Sequence, residues 1–216
     1  MVTLIPGSDL LTSALNVISQ SLQIPVIIFL LIFAIYAIIS VGGLVSDYTS
    51  RKEVPIKLLQ ELIYSISNCY NEKEIENIIN NAEIPKAQKK VLIDIAQSKD
   101  LTKDSRDALA NKLIEYEEDI IEKKLQRTDI ITKIGPTLGL MGTLIPMGPG
   151  LAALGSGDIT TLSNAIIVAF DTTVVGIGAG AVTYIVSKVK KRWYEQYLSN
   201  LDALSRAILD KLNYIK

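Results

Sequence analysis

The sequence predicts an all-α polytopic membrane protein with three transmembrane helices and a cytoplasmic helical domain between the first and second. Two observations predict it. Charge is distributed in blocks: none falls from Gln23 to Ser46 or from Ile134 to Gly157, and Asp171 alone interrupts Ile159 to Ser187. Between those blocks charges are dense, and the apolar residues recur at helical spacing with no strand alternation. The balance of the whole chain, 22 basic against 23 acidic residues, gives no basic stripe for nucleic acid. No histidine is present, which excludes imidazole metal ligation and His-based acid–base catalysis. The single cysteine, Cys69, cannot form an internal disulfide and suits a reducing compartment. No metal site, cofactor or cleavable signal is expected.

Residues 1–22 contain an extracytoplasmic amphipathic helix. Leu11, Leu15, Ile18 and Leu22 share one face, opposite Ser13, Asn16 and Gln20. It lies at the membrane interface or packs on the bundle. Residues 23–46 form the first span, long enough for a hydrocarbon core of about 30 Å, with Pro25 near its start where a helix tolerates it. Arg51 and Lys52 follow, so the positive-inside rule places the N-terminus outside and the next segment inside.

Residues 47–133 form the insert. One helix runs from Pro55 to Tyr70, with Ile56, Leu59, Leu62, Ile63 and Ile66 inward. Glu72 to Asn81 turns Ile75, Ile78 and Ile79 inward. Pro85 opens a third helix at its first position, with Val91, Leu92 and Ile95 toward the core. Thr102 caps a long helix through Leu109, Leu113, Ile114, Ile120, Ile121 and Leu125. No Gly or Pro stops it before Gly135, so it continues into the second span.

Residues 134–157 are the second span, Ser156-Gly157-Asp158 an outer turn, and residues 159–187 the third span. Lys188, Lys190, Lys191 and Arg192 hold its end inside, beside an interfacial belt of Trp193, Tyr194 and Tyr197. Residues 188–216 form an amphipathic cytoplasmic helix with Leu198, Leu201, Leu204, Ile208 and Leu212 in register.

Small residues distinguish the second and third spans from the bulky, aliphatic first. They recur at Gly135, Gly139, Gly142, Pro146, Gly150 and Ala153, and at Ala165, Ala169, Thr173, Gly176, Gly180, Thr183 and Ser187. Such stripes let helix backbones approach closely, where attraction comes from packing and not from water exclusion. The stripes serve contacts inside the chain or between copies; three spans are too few to enclose a pore alone. Thr143, Thr172 and Thr173 add hydroxyls to these spans, and each can instead bond its own helix. Asp171 lies about 12 residues from the start of its span, where a carboxylate costs roughly 2.5–3.5 kcal/mol on insertion scales. It needs a lumen, a partner or a proton.

The run Gly135-Pro136-Thr137-Leu138-Gly139-Leu140-Met141-Gly142-Thr143, with Ala169-Phe170-Asp171-Thr172-Thr173-Val174-Val175-Gly176, resembles the MotA/TolQ/ExbB proton-channel family. The first resembles its (A/G)P-x-LGLxGT run, and the second its A-x-x-x-T-x-x-G segment. The resemblance implies a homopentamer around a central lumen, lined by the second and third spans. The lumen would hold two copies of a single-span partner of the ExbD/TolR/MotB type. It also implies an ion-channel stator subunit in the plasma (inner) membrane, in which proton or sodium flow drives mechanical work. Thr143 and Thr173 match the family's lumen threonines. One departure is at Val168, where ExbB and TolQ carry a glutamate; Asp171, one turn further in, is the candidate substitute. Pro146 and Pro149 depart too, as candidate kinks near the outer mouth. Thr143, Asp171, Thr172 and Thr173 are therefore the candidate ion pathway. Gly135, Gly139, Gly142, Pro146, Ala169, Gly176 and Gly180 are the candidate packing residues. The competing reading is a non-conducting membrane scaffold or sensor. An enzyme is not expected, because no nucleophile–base pair or phosphate loop is present.

Overall fold

The computed structural model describes residues 8–51 and 53–214. Lys52, the first seven residues and the last two of the expected C-terminal helix lie outside the described residues. Among those described, every regular element is an α-helix: α1 Ser8–Ser21, α2 Gln23–Ser50, α3 Ile56–Ser67, α4 Glu72–Asn81, α5 Lys86–Ala96, α6 Lys103–Gly155 and α7 Ile159–Tyr214. Three stretches, within Leu10–Ser50, α6 and α7, are long and apolar enough to cross a membrane. The third candidate span and the C-terminal segment that follows it are thus one helix. The chain forms two compact units, one of residues 1–45 with 126–188, the other of residues 46–125 with 189–216.

In the first unit α2 lies against the adjoining parts of α6 and α7. Val26 and Leu30 pack with Ile145, flanked by Leu138, Met141 and Val175. Ala37 packs with Ile131 and Ala179, beside Phe33 and Val182. The opposite side of α2, including Ile28, Leu31, Ile35 and Ile39, is exposed. α1 is a helix as expected, yet Leu10, Leu11, Leu15 and Ile18 are all exposed. Its apolar face is not covered by the described residues of the chain.

α6 contains Pro136, Pro146 and Pro149 without ending. A proline lacks the N–H that would bond the carbonyl one turn back. The C-terminal end of α6 closes with a Schellman arrangement. Asp158 N–H donates to the Ala153 carbonyl at 3.0 Å, and Gly157 N–H to that of Leu154 at 3.0 Å. Gly157 takes the left-handed conformation this needs, with φ of 83°. Asp158 then caps α7: its carboxylate accepts from Thr161 N–H at 3.0 Å and from the Thr161 hydroxyl. The outer turn expected at 156–158 is this linked stop and start.

The second unit is a helical domain with its own core. Leu59, Leu62 and Ile66 of α3, Ile75 and Ile79 of α4, and Leu92 and Ile95 of α5 meet Ala110 of α6 and Leu201, Leu204, Ile208 and Leu212 of α7. Ile56 is the exception to the expected face; at the first residue of α3 it lies 66% exposed. Pro85 stands one residue before α5 as its N-cap, in an extended conformation, and α3 stops at Ser67. The caps differ in kind. Asn71 accepts from Glu74 N–H at 3.0 Å while Glu74 returns a bond to Tyr70 N–H at 2.7 Å, a reciprocal start for α4. Thr102 accepts from Ser105 N–H at the start of α6, as expected. Buried Arg106 donates to the Leu212 carbonyl and to Asn213 Oδ1 at 2.7 Å, fixing the end of α7.

Candidate functional site: the small-residue seam of α6 and α7

The seam between the second and third spans is a backbone-to-backbone contact. A Cβ added at Gly176 would lie 2.6 Å from the Gly135 carbonyl oxygen and 2.8 Å from Gly139 Cα. One added at Gly180 would meet the Pro136 ring at 2.8 Å, and one at Gly142 would overlap Thr172 Cβ at 2.6 Å. Nearer the C-terminal end of α6, a Cβ on Gly150 would meet that of Ala165 at 2.8 Å. Glycine is required along this line because any side chain would force the helices apart. Ala169, 7% exposed, lies buried in the same unit, and Pro146 is buried. The stripes therefore meet each other inside one chain.

The four polar candidates divide. Thr172 is buried, and its hydroxyl donates to the Val168 and Ala169 carbonyls. It fills the notch opposite Gly142. Thr173 is half-buried and donates to the Ala169 carbonyl at 3.0 Å. Thr143 is half-buried and donates to the Leu140 carbonyl at 2.6 Å. All three hydroxyls thus satisfy their protons on their own helix and keep their oxygens as acceptors. Asp171 is exposed on the surface of the chain, and among the described residues it has no hydrogen-bond or ion-pair partner. Counting along α7 from Ile159, its Cα is about 18 Å into the helix.

A second polar group ties the three helices together near Lys188. Thr132 donates to the Thr183 hydroxyl at 3.1 Å, Tyr36 of α2 and Thr128 share a bond at 3.4 Å, and Ser187 donates to Asp129. Thr183 and Ser187 stand out in the sequence as small residues. Thr128, Asp129 and Thr132 fall in a charged stretch, and no local pattern distinguishes them from solvated neighbours. Their signal is long-range: the helix continuing through 126–133 already belongs to the compact unit of the spans.

The model of the MotA/TolQ/ExbB proton channel family matches residues 72–203, more than half of the chain. The chain belongs to the MotA/TolQ/ExbB proton channel family. The match runs from α4 through the helical domain, the α6–α7 seam and the start of the α7 tail, so it spans both compact units. Comparison with curated proteins gives no match. MotA/TolQ/ExbB proteins are membrane channel proteins and not enzymes, and the family implies partners of the ExbD/TolR/MotB type.

Proposed function

We propose that this chain is the ion-channel stator subunit of a gradient-driven membrane motor. Five copies surround a lumen, and two single-span partners of the ExbD/TolR/MotB type occupy it. The N-terminus and the 156–158 turn face outward; the helical domain and the α7 tail are cytoplasmic. The observation that carries the reading is Asp171, a carboxylate about 12 residues into the apolar first half of α7, exposed at the chain surface and unpartnered among the described residues. Facing acyl chains it costs several kcal/mol, so it requires water, a partner or another copy beside it. Thr143 and Thr173, with acceptor oxygens on half-buried positions, complete the candidate pathway from other faces; Thr173 lies about 200° around α7 from Asp171 and so meets a different neighbour. Thr172, buried against Gly142, sets the spacing of the two helices.

One observation favours the scaffold reading: the glycine stripes are already used inside the chain, so they do not by themselves require a lumen. Reconstitution separates the two. With the single-span partner in sealed vesicles, the wild-type complex takes up protons or sodium down an imposed gradient. Asp171→Asn and Thr173→Val abolish uptake while the subunit count by cryo-EM stays at five. Full uptake in both variants removes these residues from the pathway. No uptake by the wild-type complex with either ion supports the scaffold.

A further inference from the structure

The second unit contains a cavity of about 570 Å³ that ion flow does not use. Arg51, Lys86 and Lys124 line it; its one lining carboxylate, Asp47, is paired with Lys190 at 2.7 Å, and Arg51 also pairs with the exposed Glu53 at 3.6 Å. Among the described residues, neither Lys86 nor Lys124 has an ion-pair partner. The Arg51 guanidinium lies 5.1 Å from the ring centroid of Trp193, another wall residue, and donates to Gln196 Oε1 at 3.0 Å. The cavity is thus a cationic pocket with an aromatic wall.

Two further features indicate what it takes. Gln88 is 1% exposed and lines the cavity. Its Nε2 donates to the Tyr197 carbonyl at 2.9 Å, but its Oε1 has no hydrogen-bond partner among the described residues. A buried acceptor left unmet costs about 1–3 kcal/mol, so the site lacks a donor. The second feature is the start of α5, where Pro85 and Lys86 stand in the wall. α4 begins with an Asn cap and two glutamates in its first turn. α5 has no side-chain cap and no acid there; Lys86 and Lys89 occupy its first turn instead. Cations at a helix N-terminus oppose its dipole, and an anion placed there relieves both.

We propose that this cavity binds a phosphate ester bearing free hydroxyls. The phosphate lies among Arg51, Lys86, Lys124 and the first turn of α5, and the buried Gln88 amide turns toward the cavity so that its Oε1 accepts from a hydroxyl. Two sources offer this chemistry: the glycerol headgroup of an anionic phospholipid and a soluble polyol phosphate. Arg51 and Trp193 follow the ends of the first and third apolar segments by five and six residues, about 8–9 Å of helix, which is headgroup depth. This proposal does not depend on ion conduction.

The test is native mass spectrometry of the full chain in detergent. The probes are dioleoyl phosphatidylglycerol, dioleoyl phosphatidylcholine and glycerol 1-phosphate. The glycerol lipid is expected to be retained over the choline lipid. The double variant K86Q/K124Q lowers that retention about tenfold, the scale of one lost charge-assisted bond, and leaves the choline lipid unchanged. Gln88→Met lowers it as well. Binding of glycerol 1-phosphate with displacement of the lipid assigns the site to a soluble ester; lipid retention without displacement assigns it to the bilayer. Equal retention of both lipids with no binding of glycerol 1-phosphate overturns the proposal. So does retention of the preferred probe unchanged by the variants. If the double variant loses helicity by circular dichroism, the single exposed change Lys86→Gln decides by the same readout.

Discussion

At the scale of single residues, the seam makes a sharp distinction among glycines. Gly176→Ala places a methyl against the backbone of Gly135 and Gly139, which no rotamer change can relieve. The helices must separate, at about 1–3 kcal/mol, the usual cost of overpacking. Gly178 is two residues further on, on the opposite face of α7, with nothing within 4 Å of its added Cβ. There alanine gains up to about 1 kcal/mol of helix propensity. Thermal unfolding in detergent should therefore fall for Gly176→Ala and hold or rise for Gly178→Ala. Gly142→Ala is an intermediate case, because its obstacle is the side chain of Thr172; adding Thr172→Gly should recover most of the loss. In the helical domain, burial pushes the Cys69 thiol above its ordinary value of 9.0, and Glu74 adds to the shift. The thiol stays protonated at pH 8, so maleimide labels it slowly until the domain is denatured. Burial, with Glu117 alongside, likewise raises Tyr197 far above its ordinary value, and its hydroxyl donates to Glu117 at 3.0 Å. Tyr197→Phe should cost about 1–2 kcal/mol, the net value of a bond to a charged group with some solvent access, read by chemical denaturation.

At the scale of elements, the turn between α6 and α7 carries a carboxylate cap that pH can remove. Thr161 bonds hold the Asp158 carboxyl below its ordinary value of 3.8. Its contribution is therefore complete above that value and is lost as pH falls through the lower folded one. Wild type should lose more thermal stability than Asp158→Asn between pH 7 and the acid side of that window. Gly157→Ala should destabilise at every pH, because the strain is in the backbone. This turn was legible in the sequence because Ser-Gly-Asp between two apolar runs leaves few alternatives. The start of α6 at Thr102 was legible for the same reason. The start of α5 was less so: proline fits both the first helical position and the residue before it, and only the backbone dihedrals decide. Periodicity marked Leu59, Ile75, Ile95 and Leu201 as core. It also marked Ile56, whose position at a helix end leaves nothing opposite it. The glycine stripes announced close approach but not the neighbour, since spacing encodes a face and never its partner. Asp129 and Thr132 were invisible for a related reason: their partners, Ser187 and Thr183, are more than fifty residues away.

For the whole molecule, the proposed topology can be checked by labelling. In a Cys69→Ala background, Ser156→Cys should react with a membrane-impermeant maleimide on intact cells. Ser199→Cys and Asn77→Cys, both exposed in the chain, should react only after the membrane is opened. Reaction of Ser199→Cys on intact cells would reverse the orientation.

The prolines of α6 have a consequence at this scale too. Without their N–H groups, the main-chain oxygens of Thr132, Gly142 and Ile145 receive no donor from the residue four ahead. Lipid tails cannot supply one, and each orphaned oxygen there costs several kcal/mol. This helix is consequently thirsty at three places: each freed oxygen needs a local shift of the helix, a water or a neighbouring protein donor, whatever the number of subunits around it.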